Sequence, residues 1–392
     1  MNTFTLTRLL TRKRALGESR LDATQEALPL AAGEALLRID RCALTTNNIT
    51  YAAFGEAMQY WDFFPAGIEG WGQIPVWGFA DVVASTVRGV EVGERYYGYY
   101  PIASHIRMRP ERVTPRGFYD GAAHRKTLTS AYNQYTRCSN DPAYDAASED
   151  YRMLVRPLFI TSFMVADFLL DKACFGARQI VVSSASSKTA YGSAYCLHGR
   201  HGIRLIALTS TRNRPFVESL GCYDAVVAYE ELTSIATDEP TVDLDFSGDE
   251  SLRAGVHRHF GSALKYDCFI GSTQNTDFLR QLDLPGPEAK FFFAPVQIRK
   301  RNADWGYEEF NRRFNAAQSE FIRRLSAPGD PWMRLVQSRG FAAVQKLVEA
   351  LHAGRSDPRE GHVVVLAEPV QSAGMSMSTG FSGRIPTESA LW

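Results

Sequence analysis

The sequence predicts an α/β protein in two parts, a β-rich domain followed by a doubly wound parallel-sheet domain, and three observations support this. Its 392 residues exceed one ordinary domain and suffice for two cores. Residues 33–115 carry short β-rich segments broken by glycine. From residue 153 apolar strands alternate with helical stretches, the pattern of a sheet covered by helices on both faces.

Composition narrows the function classes. The chain is 45 % hydrophobic, with 43 basic and 43 acidic residues and no formal net charge. A neutral chain exerts no long-range pull on phosphate backbones, so nucleic acid is not an expected partner. The run Arg299, Lys300, Arg301 reads as a solvated strand end. Met1–Leu10 has neither the apolar core nor the cleavage site of a signal peptide. No later stretch approaches 18 apolar residues, so the expectation is a cytoplasmic protein without membrane contact. Cys42, Cys138, Cys174, Cys196, Cys222 and Cys268 lie far apart without a CxxC pair, which favours buried thiols in a reducing compartment over a metal site.

In chain order, Ala35–Ile39, Val76–Val87 and Arg95–Tyr100 read as strands, with turns at Gly89 and Gly93, giving a small barrel or distorted sandwich. Residues 116–152 are polar and tyrosine-rich and read as an inserted excursion, a lid or an interface. A helix over Phe159–Lys172 leads to the strand Gln179–Val182, a turn of small residues, a helix over Thr189–Leu197 and a strand Arg204–Leu208. Further strands are predicted at Ala225–Ala228, Val242–Phe246, Tyr266–Ile270 and Lys290–Ala294. An amphipathic helix follows over Phe341–Ala353, then a last strand His362–Leu366. The tail 371–392, rich in Ser, Gly and Met, has no periodicity and is expected to be flexible.

The first strand–turn–helix of a doubly wound sheet is where phosphates meet the free amides of a helix N-terminus. Here it reads Ser183-Ser184-Ala185-Ser186-Ser187-Lys188-Thr189-Ala190-Tyr191-Gly192, with Ala185, Ser187 and Ala190 in the glycine positions of GxGxxG. The glycines are missing, yet Ser183 to Ser187 are all small enough for a pyrophosphate to reach the backbone. Lys188 opposes the helix dipole, which points to a bound anion there, with a solvated lysine as the alternative. The second strand ends Ser210-Thr211-Arg212-Asn213-Arg214, without the carboxylate that holds the ribose hydroxyls of NAD. Hydroxyls and guanidinium groups suit a 2′-phosphate, so NADP is the expected cofactor, unless Arg212 and Arg214 merely open a solvated helix. Ser184, Ser186, Ser187, Lys188, Thr189, Ser210 and Arg212 are its candidate ligands.

Five segments resemble the medium-chain dehydrogenase/reductase superfamily, specifically its zinc-independent quinone and enoyl reductases. Gly33–Ile39 resembles the "GEVLVRV" strand and Ala43–Ile49 the "GLNPVDI" loop. Gly89–Gly98 is similar to "GVKVGDRVYG", Ser219–Val226 to "ELGADHVI" and Gly361–Leu366 to "GKVVL". The resemblance implies a GroES-like catalytic domain over 1–152, a Rossmann domain over 153–330 and a return to the catalytic domain over 331–370, with the active site in the cleft. Zinc-dependent members carry a cysteine and a "GHE" motif where this chain has Thr45 and Gly78-Phe79-Ala80, so no metal is expected.

By this resemblance the cleft is lined by the loop after the first strand, which nominates Thr45, Asn48, Tyr51 and Tyr60 as catalytic candidates. The later Rossmann strand ends add Asp245, Gly248, and Ser247, Gly271 and Ser272 toward the cofactor. Tyr51 and Tyr60 are the preferred proton donors because some enoyl reductases carry a catalytic tyrosine in this loop, although packing also explains a tyrosine. Asn48 either acts in the cleft or caps a turn. The run Tyr60–Pro65 and Trp71 wall an apolar pocket, cover the cleft edge or bury a homodimer contact. His105 and His124 are further acid–base candidates by chemistry alone. The leading expectation is a reductase delivering hydride from NADPH to a small-molecule α,β-unsaturated carbonyl, quinone or ketone. Its rivals are a non-catalytic NADP(H)-binding sensor or structural protein, and a lyase or acyl-transfer enzyme using the same cleft.

Overall fold

A run of apolar residues such as Ile180–Val182 must be covered on both faces, and the strand Gln179–Val182 is buried throughout. It lies third in a six-stranded, all-parallel sheet. The spatial order is Ala225–Ala228, Arg204–Thr209, Gln179–Val182, Thr241–Asp245, Leu264–Phe269, Ala289–Phe291. The chain therefore builds outward in one direction for three strands and then resumes on the other side of the first. That reversal opens a crevice at the carboxyl ends of Gln179–Val182 and Thr241–Asp245, where such sheets bind ligands. The computed structural model describes residues 3–200, 202–270 and 283–366.

The β-rich part is a nine-stranded mixed sheet made from both halves of the chain. Ala35–Leu44 pairs on one side with Pro75–Ser85 and on the other with Glu360–Val365, where His362 stands opposite Leu44. Glu360–Val365 runs parallel to Arg334–Arg339, joined by the helix Phe341–His352. A separate hairpin, Thr3–Arg12 with Ala15–Ala27, went unpredicted because Ala15–Ala27 alternates polar residues and is not fully buried at any position.

Residues 116–152 are not an excursion from this sheet. Gly117–Asp120 and Gln134–Arg137 pair with each other, and Gln134–Arg137 pairs with Arg95–Pro101. These strands have four residues each, too short for alternation to show in the sequence. The following helix begins ten residues before the predicted start, running over Glu149–Asp171 with Pro157 inside it. By length and composition this helix could cross a membrane, contrary to the sequence reading. Its apolar side, including Met153, Leu154, Phe159, Met164, Val165 and Leu169, is instead the centre of the largest hydrophobic core.

Two further helices, Ala294–Trp305 and Tyr307–Leu325, were not foreseen. Arg299–Arg301 lies within the first of them and is not a strand end. Arg301 reaches Asp167 at 2.7 Å and Asp171 at 3.0 Å, binding this helix to Glu149–Asp171. The tail 371–392 lies outside the described residues.

Gly117 tests the integration of 116–152 into the sheet. Its φ is +137°, and a Cβ there would stand 1.9 Å from the Tyr135 carbonyl oxygen. Gly117→Ala is expected to destabilise the fold by about 2 kcal/mol or more, from backbone strain and overpacking. A denaturant midpoint equal to that of the parent would contradict the assignment.

Candidate functional site

A cleft of about 1540 Å³ runs between the two sheets and takes its walls from both. Ordinary small-ligand pockets are about 300–1,000 Å³, so this one has room for more than one small ligand. Ser184, Ser186, Ser187, Lys188 and Thr189 form part of its lining, together with Thr45, Tyr51, Tyr60, Trp77, Tyr97 and Tyr132. Two regions nominated separately from the sequence thus meet in one space.

The glycine-free turn is held open by hydrogen bonds. Ser184 adopts φ +49°, in the left-handed region, and its amide donates to the Tyr229 hydroxyl at 3.2 Å. The Ala185 amide donates to the Leu208 carbonyl at 3.1 Å, while the Tyr223 hydroxyl donates to the Ala185 carbonyl at 3.0 Å. Ser187 caps the helix Lys188–Leu197, its hydroxyl accepting from the Ala190 amide. Helix geometry leaves the first-turn amides of Lys188 and Thr189 without intrahelical acceptors, as an anion site requires. Close packing behind the turn comes from Gly192, where a Cβ would stand 2.6 Å from Ser162 Oγ.

The other cofactor candidates are distributed unevenly. Ser210 accepts from the Asn213 amide with its hydroxyl, and it is Asn213 whose side chain reaches Ser186 and lines the cleft. Arg212 is exposed and outside the lining, whereas Arg214 pairs with Glu218 at 3.0 Å and Glu231 at 2.9 Å. Ser247 donates to Asp245, which also pairs with the buried Arg253, so both brace the end of the fourth strand and lie outside the lining. Gly271 and Ser272 lie outside the described residues.

On the facing wall, Tyr51 and Tyr60 pack with ring centroids 4.6 Å apart and planes tilted by 46°. The Tyr60 hydroxyl lies 3.3 Å from that of Tyr132, a residue the sequence reading missed because it sat in the supposed excursion. Burial raises the pKa values of Tyr51, Tyr60 and Tyr132, keeping all three protonated near neutrality. Thr45 borders the cleft, but Asn48 is absorbed by local structure. Its Oδ1 accepts from the Thr45 amide at 2.8 Å and its Nδ2 donates to the Pro75 carbonyl at 2.9 Å, so it caps the helix Thr46–Ala53.

The aromatic run is not a continuous pocket wall. Trp61, Phe63 and Phe64 are buried in the fold, and Trp71 lies under Arg12 and Arg20, outside the cleft. His105 packs on Phe4, and His124 contacts the Phe63 carbonyl, both away from the lining. The six cysteines are unpaired. Among the described residues, no three His, Cys, Asp or Glu side chains are grouped to hold a metal ion.

The family model described as a protein of unknown function (DUF2855) matches residues 42–357. The chain belongs to this family. No curated protein matches it in sequence. Among solved structures, CurA from Vibrio vulnificus in complex with NADPH superposes with a TM-score of 0.57 at 14 % identity, covering 93 % of this chain and 100 % of that one. A putative NADPH:quinone reductase from Bacillus thuringiensis gives 0.52 at 12 % identity, with the same coverage of each. At these identities the likeness is one of fold, and the fold is the two-domain architecture expected from the sequence.

In this DUF2855 chain, Lys188 has a partner other than the one anticipated. Its ammonium donates to the Glu360 carbonyl at 2.8 Å and the Pro358 carbonyl at 3.2 Å, tying the turn to the returning strand. Burial pushes its pKa down to about 8, against the opposing pull of Asp357 and Glu360. Between that value and the ordinary 10.5, the unfolded chain binds more protons at this site than the folded one. Stability contributed by this group therefore rises with pH across the window. Relative to Lys188→Met, the parent should gain unfolding free energy as pH increases from about 8 to 10.5. Parallel curves for the two proteins in denaturant titrations would disprove the depressed pKa.

Proposed function

We propose that this chain is an NADPH-dependent, zinc-independent oxidoreductase that reduces an α,β-unsaturated carbonyl, quinone or ketone by hydride transfer. One observation carries the reading: the small-residue turn at the switch point of the parallel sheet and a wall of protonated tyrosines line the same cleft. The NADPH in the CurA complex and the name of the quinone reductase add support at the level of fold.

The residues fit a dinucleotide. Ser184, Ser186 and Ser187 offer hydroxyls and backbone at the helix start, and Asn213 stands beside them for a ribose or phosphate oxygen. Arg212, exposed at the end of the second strand, is the guanidinium available to a 2′-phosphate. Bound there, NADPH supplies a hydride equivalent. The chain's part is to hold the substrate against the tyrosine wall and donate a proton from the linked hydroxyls of Tyr60 and Tyr132, or from Tyr51 packed beside them. Thr45 and Gly78-Phe79-Ala80, where zinc-dependent relatives carry ligands, favour this metal-free route. A cytoplasmic setting and small-molecule substrates belong to the same proposal.

Titration with NADPH and NADH, followed by cofactor fluorescence, should show binding with preference for NADPH; binding of neither would sink the proposal. Arg212→Ala should weaken NADPH much more than NADH, and equal losses would argue against the 2′-phosphate role. Against a panel of enones, quinones and ketones, replacing the proton donor should lower kcat about a hundredfold or more. Full turnover in all of Tyr51→Phe, Tyr60→Phe and Tyr132→Phe would remove the tyrosine wall from the mechanism.

A further inference from the structure

We propose that Arg156 is the docking point for a carboxylate carried by the substrate of this cleft. The inference rests on the reductase reading and narrows its substrates to acidic carbonyl compounds.

Arg156 lies on the helix Glu149–Asp171 and lines the cleft. Its Nη1 donates to Asn315 Oδ1 at 3.0 Å and Gln318 Oε1 at 3.2 Å, both neutral acceptors on the helix Tyr307–Leu325. Its guanidinium lies over the Phe314 ring at 4.9 Å. The head group is thus held against the helix Tyr307–Leu325. Its Nε and Nη2 have no acceptor among the described residues, and no carboxylate there comes within ion-pair distance.

Those two nitrogens form the edge of a guanidinium that matches a carboxylate with parallel hydrogen bonds. The chain uses the same edge elsewhere. Arg95 holds Glu149 with Nε at 2.7 Å and Nη2 at 2.8 Å. Arg312 grips Glu309 at 2.6 and 2.8 Å. In Arg156 the equivalent edge belongs to a residue of the cleft wall.

The charges around it leave a cationic surplus. Arg152, one turn earlier, adds repulsion but is neutralised by Asp141. Opposite, Glu309 is shared by Arg312 and Arg313, and Glu308 is taken by Arg116. Tyr97, Asp141 and Tyr307 complete the groups that act on it. Burial, reinforced by Arg152, pushes the Arg156 pKa down to about 10, and the attraction of Asp141, which is paired with Arg152, does not offset it. An entering anion relieves that cost.

Position ties the arginine to the candidate chemistry. Tyr97, which shares the Arg156 environment, stacks on Trp77 at 5.5 Å, and Trp77 contacts Tyr132 at 6.0 Å. A substrate whose acid group lies on Arg156 therefore extends its remainder along this wall toward Tyr132 and Tyr60.

The test compares β-acetylacrylate, an enone acid, with its methyl ester by isothermal titration on the full chain. The parent should bind the acid at least about tenfold more tightly than the ester, as a charged bidentate pair allows. Arg156→Gln should erase that preference while the ester's affinity stays unchanged. Asn315→Asp, which keeps the arginine but gives it an internal carboxylate, should do the same and covers the case in which Arg156→Gln fails to fold. Equal binding of acid and ester by the parent, no binding of the acid, or a preference surviving in the variants would overturn the proposal. NADPH titration of the same proteins separates the two readings. If Arg156→Gln loses NADPH affinity as it loses the acid, the arginine serves the cofactor and the proposal falls. If the parent binds the acid selectively but no NADPH, the acid site stands and the reductase reading falls.

Discussion

The arrangement of the cleft depends on one helix belonging to two cores at once. Glu149–Asp171 begins under the β-rich sheet, where Glu149 is held by Arg95, which also reaches Asp81 at 2.8 Å and Asp40 at 2.6 Å. Three carboxylates around one partly buried guanidinium compensate the desolvation that any one pair would suffer. Further along, Ser162 donates to the Thr189 carbonyl at 2.8 Å and the helix packs beside Gly192, fixing the serine-rich turn from behind. Its last turns take Arg301 through Asp167 and Asp171. A single rigid element thus relates the turn, the tyrosine wall and the Tyr307–Leu325 helix to one another.

This scaffold explains how a turn proposed to take phosphate can dispense with glycine. Glycine serves such turns by permitting left-handed backbone and close helix packing. Here Ser184 takes the left-handed conformation while Tyr229 anchors its amide, and the close approach has moved to Gly192. The requirements of the turn have been met by other residues, and a pattern search for the glycines passes over them.

Much of the fold was legible because it obeys local rules. Gln179–Val182 and Ala225–Ala228 stood out as continuous apolar runs at their observed boundaries, and the helix Lys188–Leu197 differs from its predicted start by one residue. What escaped prediction was determined by partners distant in sequence. Gly117–Asp120 is a strand because Tyr135 and Gln134 lie beside it, and Ala15–Ala27 because it pairs along Thr3–Arg12. The site was legible to the same degree. Tyr51 and Tyr60 could be nominated from the family resemblance of their loop, and Ser184, Ser186, Ser187, Lys188 and Thr189 from their place after the first parallel strand. The contacts of Asn48, Lys188, Asn213 and Arg156 follow from which acceptor each side chain meets, and sequence spacing contains no such information. Lys188 shows the difference clearly: its placement against the helix dipole is visible in the sequence, but the Glu360 carbonyl that accepts from it lies more than 170 residues later.

The core has a mechanical consequence. Ala43, Phe79 and Tyr97 from the mixed sheet belong to the same contiguous apolar cluster as Ile180, Val182 and Leu244 from the parallel sheet. Two lobes joined by a dry, close-packed interior resist parting like jaws, because each increment of opening would expose apolar surface and break dispersion contacts together. For any ligand of the cleft, side chains turning or backbone segments shifting at its mouth are therefore a less costly way in than parting the two sheets.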